Sequence, residues 1–207
     1  AAASWRKAPE YLTLVGRGTF DYKDAQGVGD NLVPPLLVGT PFGLAASDVS
    51  FGSLTAGSGP GLRGIGRLPV LTGQELSDYV AKISAHESAR EGAWQKNVLL
   101  VADNPDAGGA FTADSEALAA LLAPPYGATR VYLPAFSPAA AKAAIVSTLG
   151  SGASVFNYVG HGGPDRLAAE NIFTKAEVPA LTNAGRLPLF LAWTCSAGNK
   201  VRRAIPV

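Results

Sequence analysis

Short, near-continuous apolar runs alternate with capped helical segments along most of this chain, and that alternation restricts its fold more than any other feature. The runs are Tyr11–Gly16, Val98–Asp103, Arg130–Leu133, Val155–Val159 and Pro188–Thr194. A strand that is apolar throughout, instead of at every second position, is covered on both faces. Helices inserted between such strands give a parallel sheet with helical layers, so the class is α/β with a mostly parallel sheet. The helices mark their own beginnings. Thr72-Gly73-Gln74-Glu75 is a capping box opening a helix to about Arg90, with Leu76, Tyr79, Val80 and Ile83 on its inner face. Thr174-Lys175-Ala176-Glu177 is a second box and predicts a helix over Ala176–Asn183. Ser137-Pro138 sets a cap before a first-turn proline, and the alanine-rich helix that follows ends at Gly150. Asp114–Ala123 is a fourth helix, stopped by Pro124-Pro125. Residues 24–66 break the pattern: Gly, Pro and Ser accumulate, which predicts a long connection or a seam between lobes.

Composition removes several function classes. Of 207 residues 47% are hydrophobic and only 16% charged, which places the chain among globular proteins. A net charge of +1 without a Lys/Arg stripe leaves no electrostatic footprint for nucleic acid. No apolar run approaches a membrane span. The lone Cys195 excludes a disulfide framework, and the two histidines, His86 and His161, lie too far apart (161 − 86 = 75) for a zinc motif. No metal ligand set is therefore expected and no cofactor is required. Asp21, Asp24 and Asp30 share a glycine-rich loop where a structural calcium is conceivable, but their spacing is not that of an EF-hand. Gly59-Pro60-Gly61-Leu62-Arg63-Gly64 satisfies G-x-G-x-x-G without following a strand or opening a helix, so the dinucleotide reading fails. The sequence starts without Met, and no strand-forming sequence precedes Tyr11, so further material upstream is expected.

Two of the apolar runs end in reactive side chains. Val155–Val159 leads through Gly160 into His161-Gly162-Gly163, and Pro188–Thr194 leads into Cys195. The two residues lie 34 apart (195 − 161). In an open parallel sheet, chemistry collects beyond the carboxyl ends of the strands. A thiol and an imidazole delivered there make a nucleophile–base pair, the thiolate being the attacking form. Taken singly, Cys195 also reads as an inert core cysteine. The glycines around His161 allow close backbone approach, and the Gly162 and Cys195 amides are placed to form an oxyanion hole. His86, beside Glu87, reads as a surface histidine.

The segments Tyr158-Val159-Gly160-His161-Gly162-Gly163 and Leu181-Thr182-Asn183…Leu187-Pro188…Thr194-Cys195-Ser196-Ala197-Gly198 resemble the catalytic blocks of the gingipain family of cysteine peptidases, of the caspase-like clan. Upstream, Leu14-Val15-Gly16 with Phe20-Asp21, Asn31-Leu32-Val33-Pro34, Ala46-Ser47-Asp48, Ile65-Gly66-Arg67-Leu68-Pro69-Val70, Lys82-Ile83…His86-Glu87, Trp94 and Val101-Ala102-Asp103 are similar to its other blocks, in the same order. The resemblance implies a caspase-like three-layer αβα fold. Residues 1–66 would be the tail of a first lobe, and residues 67–207 the main catalytic lobe, incomplete at its C-terminus. It implies an endopeptidase acting on protein or peptide substrates, located outside the cell or on its surface. Cys195 would attack the scissile carbonyl to give a thioester, His161 would serve as acid and base, and Asp103 or Asp106 would orient His161, unless either is a solvated loop acid. Asp114 falls near the carboxylate that binds the P1 side chain in arginine-specific members, and equally suits an ordinary helix N-terminal aspartate. Two departures favour an inactive, truncated scaffold or binding module. The loop at Gly52–Gly59 lacks the acids of many relatives, which puts any metal site there in doubt, and the chain stops twelve residues after Cys195 (207 − 195). A sortase-like transpeptidase would use the same two residues.

Overall fold

The computed structural model describes residues 9–27, 29–41, 43–53, 64–195, 197, 201 and 202; the stretch 54–63, with most of the G-x-G-x-x-G segment and part of the acid-free loop, lies outside them. The chain divides into two compact units, Ala1–Val80 with Lys200–Val207, and Ala81–Asn199.

The first unit holds β1 (Tyr11–Val15), β2 (Gly18–Thr19), an antiparallel hairpin of β3 (Leu37–Thr40) and β4 (Gly43–Ala46), the short α1 (Ser50–Ser53), and β5 (Gly64–Leu68). β5 pairs parallel with β1, from Tyr11↔Gly64 to Val15↔Leu68. Glycine at alternate positions hid this strand in the sequence. What fixes it is Arg67, whose side chain is only 1% exposed. Its Nε and Nη2 donate to Asp48 at 2.7–3.1 Å. Its Nη1 donates to the carbonyls of Gly16 at 2.7 Å and Val33 at 2.8 Å. A guanidinium with all these acceptors satisfied can stay buried, whereas an unpaired one could not. Asp21 and Asp24 act locally: Asp21 accepts from the Ala25 and Gln26 amides and Asp24 from Gly29, so both carboxylates cap turns.

Helix α2 (Gly73–Glu87) starts where its capping signal lies, with the Thr72 hydroxyl accepting from the Glu75 amide at 3.1 Å. It buries no residue, and Val80 and Ile83 are exposed, so the expected inner face is not packed within the described residues.

The second unit is built on β6 (Asn97–Ala102), α3 (Phe111–Ala119), β7 (Gly127–Tyr132), α4 (Pro138–Ser151), β8 (Val155–Val159), a small antiparallel meander β9 (Gly162–Gly163), β10 (Arg166–Leu167) and β11 (Phe173–Thr174), and β12 (Leu189–Trp193). The order β12-β8-β6-β7 is parallel throughout. β6 lies inside the sheet and its side chains alternate between two cores. Val98, Leu100 and Ala102 join Phe111 and Ala119 of α3. Leu99 and Val101 join Ala141, Ile145 and Leu149 of α4 on the opposite face. Each fully buried Val, Leu or Ile among them contributes about 1.5–3 kcal/mol. The result is three layers, helix–sheet–helix, as the apolar runs require. Beyond β12, β13 (Val201–Arg202) pairs parallel with β2 in the first unit.

Two helices differ from expectation. α3 begins at Phe111, three residues before Asp114. The Thr174–Glu177 box forms, with the Glu177 carboxylate accepting from the Thr174 amide at 2.7 Å and from its hydroxyl at 2.8 Å. It opens only one 3-10 turn, Val178–Ala180. Thr182, Asn183 and Gly185 follow too closely for a longer helix to pay its nucleation cost.

Candidate active site

Parallel pairing of β8 and β12 runs from Leu189↔Val155 to Trp193↔Val159, a constant offset of 34 (193 − 159). His161 follows the end of β8 by two residues and Cys195 follows the end of β12 by two, so both lie just past the carboxyl ends of adjacent strands. The Gly160 amide still donates to the Trp193 carbonyl at 3.3 Å. Gly162 lies against Thr194, where an added Cβ would come within 2.5 Å of the Thr194 hydroxyl oxygen. Gly160 is equally confined, because a Cβ there would overlap the Cβ of Asp103. Cys195 is a free, exposed thiol.

His161 is held through its backbone by the end of β6. Its amide donates to Asp103 Oδ2 at 3.0 Å, and Asp103 is buried. Its carbonyl accepts from the Tyr158 hydroxyl at 2.5 Å and from the Ala168 amide at 2.9 Å. Burial, and then the Asp103 carboxylate, push the Tyr158 phenol well above its ordinary range, so the hydroxyl stays a donor.

The ring of His161 is held separately. Nε2 lies 2.9 Å from Asp106 Oδ2, with both side chains about half exposed (50% and 41%). Phe111, the first residue of α3, meets the ring edge-on at 5.3 Å between centroids. Asp106 sits in a tight turn closed by mutual hydrogen bonds with Gly109. The Gly108 amide donates to its carboxylate at 2.7 Å. That amide, and then His161, hold the Asp106 carboxyl below the usual carboxylate range. The two acids that sequence left as alternatives thus have different contacts: Asp103 holds the backbone of His161, and Asp106 holds its ring. Around His161, Gly162, Gly163, Arg166, Ala168 and Ala169 line an open depression of about 200 Å³.

The layered sheet that carries these residues has known relatives. The profile of Peptidase family C25 matches residues 1–204. The chain belongs to Peptidase family C25. Two solved structures share its fold. The crystal structure of the Arg-specific cysteine proteinase gingipain R (RgpB) is 23% identical with a TM-score of 0.63, covering 92% of this chain and 41% of that one. The complex of Porphyromonas gingivalis RgpB pro- and mature domains is 22% identical with a TM-score of 0.62, covering 89% and 41%. The chain therefore spans about two fifths of each of those proteins. No curated protein matches it.

In this C25 chain Asp114 lies in the first turn of α3, one turn along from Phe111, and is exposed. Among the described residues no three His, Cys, Asp or Glu side chains converge as a metal site, and no helix is long and apolar enough to cross a membrane. Sequence reasoning passed over Tyr158 and Phe111. Tyr158 sits inside the quoted Tyr158–Gly163 block but looks like any apolar strand residue. Phe111 was excluded by starting α3 at Asp114, although Gly108-Gly109 before it signals a turn ending there.

Proposed function

We propose that this C25 chain is the cysteine endopeptidase core of a secreted or surface-attached protein, working on polypeptide substrates through a Cys195/His161 dyad. The observation that supports it most is the parallel pairing of β8 with β12, since His161 and Cys195 each follow the carboxyl end of one of these two neighbouring strands. With Nε2–H donated to Asp106, the Nδ1 lone pair of His161 is the one free to take the Cys195 proton. The thiolate adds to the scissile carbonyl, and the oxyanion is met by the Gly162 and Cys195 amides. The tetrahedral intermediate collapses as the imidazolium returns its proton to the leaving amine. The C–N bond breaks and a thioester remains. Water, deprotonated by His161, then releases the acid and restores the thiol. Asp114 offers a carboxylate for a basic P1 side chain.

The test is labelling of the purified chain with thiol-reactive peptidyl probes bearing Arg, Lys, Asp or Leu at P1, scored by intact mass. The expected result is an adduct on Cys195 that forms fastest with Arg or Lys and disappears in Cys195→Ala. His161→Ala should slow it by at least about a hundredfold, within the range of acid–base contributions. Slow labelling that ignores both P1 and His161 would mean an unactivated thiol on an inactive scaffold.

A further inference from the structure

The strands' N-terminal end carries a second, differently built cavity. Trp94 precedes β6, Gly152 precedes β8 and Arg186 precedes β12, so these residues gather at the edge of the sheet opposite His161. Gly152, at φ +100°, allows the approach: a Cβ there would stand 2.7 Å from the Trp94 Cβ and 3.3 Å from that of Arg186. Between them opens a cavity of about 420 Å³, lined by Arg90, Trp94, Arg186 and Gly185 with the methyls of Ala85 and Ala89. Arg186 gives one Nη2 hydrogen bond to the Gly150 carbonyl at 3.0 Å, while its Nε is buried without an acceptor. His86 packs edge-on against Trp94 at 5.8 Å, and its buried Nδ1 also has no partner. Among the described residues neither arginine has a carboxylate within ion-pair distance.

Arg90 and Arg186 thus line the cavity with guanidinium donors that no carboxylate of the described residues takes up. We propose that this cavity binds a small organic dianion of the phosphomonoester type. Two guanidinium groups match a doubly charged oxyanion. The cavity is far larger than a bare phosphate, and its remaining wall includes Trp94 and alanine methyls, suited to an apolar or aromatic body. The site lies roughly 17–20 Å from His161, the length of a five- or six-residue strand. It stands apart from the peptidase centre and does not depend on that reading.

Calorimetric titration of the full chain at constant ionic strength, with phenyl phosphate, inorganic phosphate and phenol, tests it. Phenyl phosphate should bind at least about tenfold more tightly than either of the others, since only it uses both walls. Arg90→Gln and Arg186→Gln should each weaken it by about tenfold or more. Arg186 also holds the Gly150 carbonyl, so unfolding midpoints accompany each variant, and the exposed Arg90 keeps the test valid should Arg186→Gln unfold. No heat with phenyl phosphate at millimolar concentration would mean that water alone satisfies Arg186, and the proposal fails. Equal binding by wild type and Arg90→Gln would overturn it as well.

Discussion

Two side chains held by a carboxylate, one in each unit, show how the same contact serves opposite ends. Arg67 is sealed, with Asp48 and the Gly16 and Val33 carbonyls taking its donors, and its side chain is 1% exposed. His161 and Asp106 share one contact at 2.9 Å and are half open to solvent. In the sealed pair the guanidinium is closed off from water and only the Asp48 side is partly open, at 26% exposed. The pair joins four stretches of chain that are distant in sequence and fixes their relative path. The open pair fixes little by itself, because Asp103 and Tyr158 already hold the His161 backbone. Freed from structural duty, its ring remains open to solvent.

The largest effect expected falls on the open side. Cys195→Ala or His161→Ala should lower peptidase kcat/KM by at least about 10³-fold, as removal of a nucleophile or its base does elsewhere. Urea unfolding of either variant should stay within about 0.5 kcal/mol of wild type, since both side chains are exposed. A variant that lost activity by unfolding would erase the contrast between the two pairs.

The next effect belongs to the sealed side. Arg67→Met leaves Asp48 and two carbonyls without their donor and should cost about 3–5 kcal/mol of unfolding free energy. The double variant Arg67→Met/Asp48→Leu should recover part of that loss, because it removes the stranded charge. A cost below about 1 kcal/mol for the single variant would show that the clamp is not what holds β5 to β1.

Asp106→Asn is expected to be smaller and confined to chemistry. Without the carboxylate the His161 ring loses the acceptor that holds it at 2.9 Å, and with it part of its orientation. Alkylation of Cys195 should slow by about tenfold with the fold intact. The rate-against-pH curve reads this directly, and an unchanged curve would assign ring positioning to Phe111 alone.

Much of this contrast was legible in sequence, and the missing part has physical causes. The four parallel strands of the second unit came from continuous apolar runs, since strands covered on both faces carry a strong signal. β5 did not, because Gly64-Ile65-Gly66-Arg67 owes its place to a buried guanidinium with acceptors 19 to 51 residues away. His161 and Cys195 stood out by rarity and by their strand-end positions. Their supports did not, because a phenol clamping a carbonyl or a phenyl edge on an imidazole leaves no local pattern. Of Asp103 and Asp106, sequence named both, and only the turn through Gly108 and Gly109 separates their contacts.

Lys142–Glu177 lies between the two extremes, at 2.9 Å with side chains 38% and 18% exposed, and it gives the finest test of how exposure discounts a pair. Lys142, and then the Thr174 hydroxyl, pull the Glu177 carboxyl down to about 2. A depressed folded-state pKa contributes stability that is complete above the unfolded value of about 4.3 and is lost as pH falls towards the folded one. Glu177→Gln should therefore be destabilised by no more than about 1 kcal/mol at pH 7, the surface-pair range. Its difference from wild type should shrink between about pH 4.3 and pH 2. Urea midpoints across that window read the change, and added salt at pH 7 should reduce the gap further. No difference at any pH would mean that Glu177 acts by capping the turn at Thr174, which needs an acceptor oxygen but no charge and is therefore kept by glutamine.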